Sequence, residues 1–155
     1  MEIERKFLVD RLPEDLDQYP HTKIEQGYLC TSPTVRIRRA GDVFWLTIKE
    51  CLASDSTAIH NREEEFQLSE DAYNTLKSKC DGIFVNKTRY KIPVNGYVAE
   101  LDIFHGRHEG LVIVEVEFPN TEASDNFTVP SWFGTEVSQD SRYSNSYLAF
   151  NRAVI

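Results

Sequence analysis

The chain is poor in the features that usually mark a small protein's chemistry. It has only three cysteines, Cys30, Cys51 and Cys80. An odd count without any C-x-x-C spacing gives no basis for a disulfide framework or a zinc knuckle. No apolar run approaches the roughly 20 residues of a membrane span, and the N-terminal Met-Glu-Ile-Glu-Arg-Lys carries no hydrophobic signal region. None of His21, His60, His105 and His108 stands in an H-E-x-x-H spacing, so zinc is not indicated and all four read as exposed loop residues. There is no G-x-S-x-G, no Ser-His-Asp order and no P-loop glycine pattern. Basic residues are also short: 17 Lys and Arg against 25 Asp and Glu leave a net charge of -8. That balance argues against nucleic acid as a partner. It still permits a small anion held by a local basic cluster, above all one accompanied by metal ions. With free thiols, no leader and no span, a reducing cytoplasm is the natural home.

What remains is an ordinary globular composition, 41% apolar and 27% charged over 155 residues. It fits a single domain over 1–155. Period-2 alternation dominates and predicts strands at 2–9, 24–31, 34–40, 43–50, 60–68, 83–93, 97–105 and 111–118. Turns fall at Gly41-Asp42, at Asn95-Gly96 and between Gly106 and Gly110. Residues 51–59 read as a mobile loop. Helices are fewer: 70–79 after an Ser69 cap, 121–127 after Asn120, 141–152, and a short turn within 11–20. The fold class is mainly β, with an antiparallel sheet and a few flanking helices.

The strands carry their charges on one face. Those faces hold Glu2, Glu4 and Lys6; Arg36 and Arg38; Thr47 and Lys49; Asn61, Glu63, Glu65 and Gln67; Lys87, Arg89 and Lys91; Glu100 and Asp102; and Glu115 and Glu117. The other faces are apolar, as in Val112, Val114, Val116 and Phe118. Two architectures satisfy this. One is an open sheet with a wet and a packed face, which alternation alone favours. The other is a closed barrel with a charged lumen. Acids and bases are grouped by strand, and like charges two residues apart repel unless something opposite lies between them. Metal ions do so between carboxylates and phosphates between cations, which raises the lumen reading.

These residues resemble the triphosphate tunnel metalloenzymes, the CYTH superfamily, and its short bacterial inorganic triphosphatases in particular. The E-x-E-x-K hallmark is matched by Glu2, Glu4 and Lys6. It is followed in order by Gln26-Gly27-Tyr28, Arg36-Ile37-Arg38, Leu46-Thr47-Ile48-Lys49, Glu63-Glu64-Glu65, Lys87-Thr88-Arg89-Tyr90, Glu100-Leu101-Asp102 and Glu115-Val116-Glu117-Phe118. Trp132-Phe133-Gly134 and Asp140-Ser141-Arg142-Tyr143-Ser144-Asn145 extend the likeness, Trp132 and Phe133 reading as packing under a plug. One slot departs. Short relatives carry arginine where Asn61 stands, and Arg62 falls on the opposite face of a regular strand unless a bulge turns it.

The resemblance implies an eight-stranded antiparallel closed tunnel barrel with a C-terminal plug helix, and Mg²⁺- or Mn²⁺-dependent hydrolysis of inorganic triphosphate to pyrophosphate and phosphate. It implies two metal sites. Glu4, Glu115 and Glu117 hold the ion that bridges the phosphates, and Glu2 helps hold a second that presents the water. Glu63 and Glu65 orient that water, so the catalytic set is Glu2, Lys6, Glu63 and Glu65. Lys6, Arg36, Arg38, Lys49, Lys87, Arg89 and Arg142 bind phosphate oxygens, with Lys91 at a mouth. Glu100 and Asp102 tether these cations or reach a metal through water. Adenylate cyclase chemistry, thiamine or nucleoside triphosphate hydrolysis, and a non-catalytic polyphosphate-binding module stay open as alternatives on the same scaffold. Apolar outer-wall residues permit a homodimer.

Overall fold

The computed structural model describes residues 2–54 and 58–151. Nine strands form one antiparallel sheet: β1 (Glu2–Val9), β2 (His21–Thr31), β3 (Thr34–Ala40), β4 (Val43–Ser54), β5 (Ile59–Leu68), β6 (Asp81–Val94), β7 (Tyr97–His105), β8 (Val112–Phe118) and β9 (Phe133–Glu136). Their order is β5-β4-β3-β2-β6-β7-β8-β1-β9, and β5 also pairs with β1. That last pairing closes an eight-stranded ring, so the barrel reading holds and the open sheet does not. Closure rests on three register pairs: Glu2 with Asn61, Ile3 with His60, and Glu4 with Ile59.

β1 is the seam. One of its edges runs along β8 from Ile3 to Leu8. Its other edge is divided: the start pairs with β5, and Phe7 and Val9 pair with Glu136 and Phe133 of β9. The ring is not in chain order, because β6 lies beside β2 rather than β5. The β5–β6 connection therefore travels outside, carrying α1 (Glu70–Lys77). Ser69 caps α1 by accepting from the Ala72 N–H, and Glu70 and Asp71 at its start with Lys77 at its end suit the helix dipole. Its Tyr73 packs 5.0 Å from the Phe44 ring, in a cluster with Ile37, Leu46, Leu68 and Leu76. On β2, Gly27 admits Phe84, whose ring would lie 2.6 Å from any Cβ added there.

Several sequence expectations are corrected. β4 runs on to Ser54 and β5 starts at Ile59, so most of the loop expected over 51–59 is strand; 55–57 lie outside the described residues. β9 is absent from the alternation pattern because four residues cannot show a period. Trp132 and Phe133 do pack, but not beneath the C-terminal segment. Phe133 stacks on Phe7 at 4.9 Å and Trp132 at 4.6 Å, in the core with Phe118 and Phe127. The helix expected over 141–152 is a 3-10 turn at Ser141–Tyr143 followed by α3 (Asn145–Leu148). Ser144 breaks it, with extended backbone and a hydroxyl that recaps the Tyr147 N–H. The helix expected over 121–127 is α2 (Thr121–Asp125), capped by Asn120, and residues 11–20 hold a 3-10 turn at Leu16–Gln18. His108 is buried rather than exposed, its Nε2 2.6 Å from the Leu148 carbonyl.

Candidate functional site

The barrel encloses a cavity of about 620 Å³. Ring order converts charge grouping by strand into charge grouping by wall. β8, β1 and β5 are consecutive and bring Glu115, Glu117, Glu2, Glu4, Glu63 and Glu65 to one side. β6, β2 and β3 are consecutive on the far side and bring Arg89, Tyr28, Arg36 and Arg38. Lys49 of β4 joins the walls by pairing with Glu2 at 2.8 Å. Each of these side chains reaches the lumen because alternation places every second residue inward.

The acidic wall is crowded. Carboxylate oxygens of Glu2, Glu63 and Glu117 all lie within 4.8 Å of one another. Hydrogen bonding to Glu2, then burial, pushes Glu117 up to about 8. Burial and a hydrogen bond to Glu2 push Glu63 up to about 7. Burial and the neighbouring Glu115 do the same to Glu4, again to about 7. Burial opposes ionisation of Glu2 as well, but the bonds it receives from Glu63 and Glu117, and the Lys49 ammonium, hold it well below the usual carboxylate range. Glu115 is likewise held down against burial by Lys6 and Arg89, with Lys6 Nζ 3.6 Å away. Three hard oxygen donors this close, sharing protons near neutrality, are a donor set suited to Mg²⁺ or Mn²⁺. Asn61 donates to Glu2 Oε1 at 3.2 Å, and Thr47 donates to Glu65 at 3.1 Å.

The basic wall is under-compensated. Arg38 makes no ion pair among the described residues, and the Nε atoms of Arg36 and Arg38 are buried without a partner. Among the described residues Arg36 has only a distant carboxylate, Glu63 at 3.8 Å. Burial, then Arg36 and Arg89, lower Arg38 to about 10. Other cations are already engaged. Arg89 forks onto Asp102 at 2.8 and 2.9 Å and reaches Glu100 at 3.3 Å. Lys87 is fully buried, with Asp102 at 2.8 Å and Asn145 Oδ1 at 3.1 Å. Burial outweighs Asp102 and brings the Lys87 amine down to about 7. Against burial, Arg89 and Lys87 hold Asp102 well below its ordinary value.

Most residues singled out from sequence meet in this cavity: Glu2, Glu4, Lys6, Arg36, Arg38, Lys49, Glu63, Glu65, Arg89, Glu115 and Glu117 line it. Lys87 lies just behind the lining. Arg142 does not join them; it is half-exposed and forked onto Asp140, which captures it locally. Lys91 is exposed. No bulge rescues Arg62, which points outward and pairs with Glu50 at 3.5 Å. Tyr28, Ser144, Asn145 and Ser146 also line the cavity. They carry no charge; the sequence signal for Tyr28, Ser144 and Asn145 is membership of the matched Gln26-Gly27-Tyr28 and Tyr143-Ser144-Asn145 stretches, and Ser146 has none.

Comparison with known proteins agrees with this geometry. The family model for the CYTH domain matches residues 1–142. An inorganic triphosphatase of Nitrosomonas europaea is 39% identical over 157 residues, covering 97% of each chain. An inorganic triphosphatase of Acetivibrio thermocellus is 36% identical, covering 97% of this chain and 94% of that one. A crystal structure of an inorganic triphosphatase, 34% identical and covering 99% and 97% of the two chains, superposes with a TM-score of 0.71.

Proposed function

We propose, from the premise that the chain belongs to the CYTH domain family, that it is a divalent-metal-dependent inorganic triphosphatase. It adds water across a terminal phosphoanhydride bond and releases pyrophosphate and phosphate. One observation carries this reading: Arg36 and Arg38, whose buried Nε atoms have no hydrogen-bond partner among the described residues, face a wall of crowded carboxylates across one cavity. Such a cavity is complementary to a polyanion that arrives with cations.

Phosphoryl transfer asks the protein mainly for positioning and charge stabilisation. Arg36 and Arg38 grip phosphate oxygens with bidentate forks, assisted by Lys6, Lys49 and Arg89 as fixed charges. Asp102 and Glu100 hold Arg89 in place before the substrate arrives. Glu2, Glu63 and Glu117 would hold one Mg²⁺ or Mn²⁺, and Glu4 with Glu115 would contribute to a second. Bound there, the ions neutralise phosphate oxygens and lower the pKa of water. Glu65, fixed by Thr47, and Glu63 orient the attacking water.

Cys30, Cys51 and Cys80 form no disulfide among the described residues, which suits a cytoplasmic protein, and no helix among the described residues is long and apolar enough to cross a membrane. Ile48 and Phe66, exposed on the outer faces of β4 and β5, leave an apolar surface that permits a homodimer.

The test is phosphate release from inorganic triphosphate, ATP and pyrophosphate, with and without Mg²⁺ or Mn²⁺. Metal-dependent turnover fastest on inorganic triphosphate supports the reading. Cyclic AMP from ATP, faster turnover of an organic triphosphate, or binding without hydrolysis overturns it.

A further inference from the structure

We propose that Asn145 is a substrate-positioning residue: its carboxamide oxygen is pinned by Lys87 so that its NH2 group donates to a phosphoryl oxygen in the cavity. The inference rests on the triphosphatase reading and adds a residue to it from outside the barrel strands.

The orientation follows from chemistry. A lysine ammonium only donates, so the Asn145 atom 3.1 Å from Lys87 Nζ is the carbonyl oxygen Oδ1. The two amide protons are thereby turned away from Lys87. Nδ2 has no hydrogen-bond partner among the described residues, and Asn145 lines the cavity while Lys87 does not. A carbonyl polarised by a cation makes its own N–H a stronger donor, so the buried Lys87 charge acts on the cavity through this amide.

The segment is anchored well enough to hold that geometry. The Tyr143 carbonyl accepts from Lys6 Nζ at 3.2 Å, and Ser144 bonds the Ser141 carbonyl and the Tyr147 N–H. At the end of α3 the Leu148 carbonyl meets His108, and just beyond it the Ala149 carbonyl accepts from the Ile83 N–H at 2.9 Å. Two lysines from β1 and β6 thus hold residues 143–145 against the lumen.

The test compares wild type with Asn145→Ala and the isosteric Asn145→Asp. It reads KM and kcat on inorganic triphosphate with Mg²⁺, and the Kd of inorganic triphosphate for the metal-free protein by calorimetry. It also reads the Lys87 titration by NMR of ε-labelled lysine. Around Lys87 stand Asp102 of β7, Arg89 of β6, Arg38 of β3 and Glu115 of β8; none of them changes between the variants. Asn145→Ala is expected to raise KM and Kd by about tenfold to a hundredfold, the scale of a hydrogen bond to a charged group. It moves the Lys87 titration down, because an acceptor is lost. Asn145→Asp raises KM and Kd further, because a carboxylate repels phosphate, yet moves the Lys87 titration up. Affinity falling in both variants while Lys87 shifts in opposite directions is not produced by loosened packing. Unchanged KM and Kd in either variant, or Lys87 shifting the same way in both, overturns the inference. Wild-type protein that neither binds nor cleaves inorganic triphosphate overturns the triphosphatase reading instead.

Discussion

Glu4 of β1 and Glu117 of β8 stand directly opposite each other in the antiparallel register. Like charges in that position weaken a sheet, and one step further along the same pair Lys6 faces Glu115 in the ordinary attractive arrangement. The barrel tolerates the first pair because both carboxyls hold their protons toward neutrality, Glu4 through burial and the neighbouring Glu115, Glu117 through a hydrogen bond to Glu2 and burial. A divalent cation would replace those protons.

Glu117→Gln and Glu4→Gln keep the shape of the wall and remove a ligand charge. Turnover should fall on the order of 10²-fold or more, the scale of single electrostatic groups in active sites. Circular dichroism should show a folded barrel. A variant with full activity in saturating Mg²⁺ would refute the assignment of that carboxylate.

Stability of the metal-free protein should fall as pH rises from about 5 to 7. Glu4, Glu63 and Glu117 have folded-state values near 7 to 8, above the ordinary 4.5. Across that window the folded state binds more protons than the unfolded one, so raising the pH favours unfolding. The depressed carboxyls of Glu2, Asp102 and Glu115 act only at lower pH, and the depressed Lys87 adds an opposite slope only above about 7. Within the window His108, held below its ordinary value by burial, opposes the decline, one group against three. Mg²⁺ should abolish the decline and release protons on binding. Thermal melts across this range, with and without Mg²⁺, check the slope. A flat or rising metal-free profile would contradict it.

Arg38→Met should separate binding from stability. The guanidinium is desolvated and repelled by Arg36 and Arg89, so its loss should leave the melting temperature of the ligand-free protein unchanged or higher. The KM for inorganic triphosphate should rise about tenfold to a hundredfold. A lowered melting temperature with an unchanged KM would assign Arg38 to the fold instead.

Asp102→Asn should do the reverse. It leaves Lys87 and Arg89 buried beside a neutral amide, and breaking a buried pair typically costs about 3–5 kcal/mol. Urea denaturation measures this directly. A loss under about 1 kcal/mol would mean that the two cations find other partners.

Alternation along each strand made the inward residues legible from sequence, because side-chain direction depends on a residue and its neighbours alone. That is why Glu2, Arg36, Glu63 and Glu117 were placed correctly in one lumen. Strand adjacency was less legible, because it depends on the path of α1 outside the barrel; nothing in β6 itself says that β2 is its neighbour. β9 was hidden by its length. Arg142 stands apart from the cavity because a carboxylate two residues away captures it, a competition the family pattern does not encode. Asn145 carries no charge to draw notice, and its orientation becomes apparent only once Lys87 is seen behind it.

The divided edge of β1 also bears on how the chain matures. β1 precedes all of its partners in the chain and cannot be fully paired until residues as late as 136 have been made, since β5, β8 and β9 all bond to it. Until then its carboxylates remain apart from Glu63 and Glu117, and a nascent chain cannot assemble the acidic cluster. Acquisition of metal should therefore be among the last events of biogenesis, and folding should be slow for a protein of this size, as it is when contacts join distant parts of the chain.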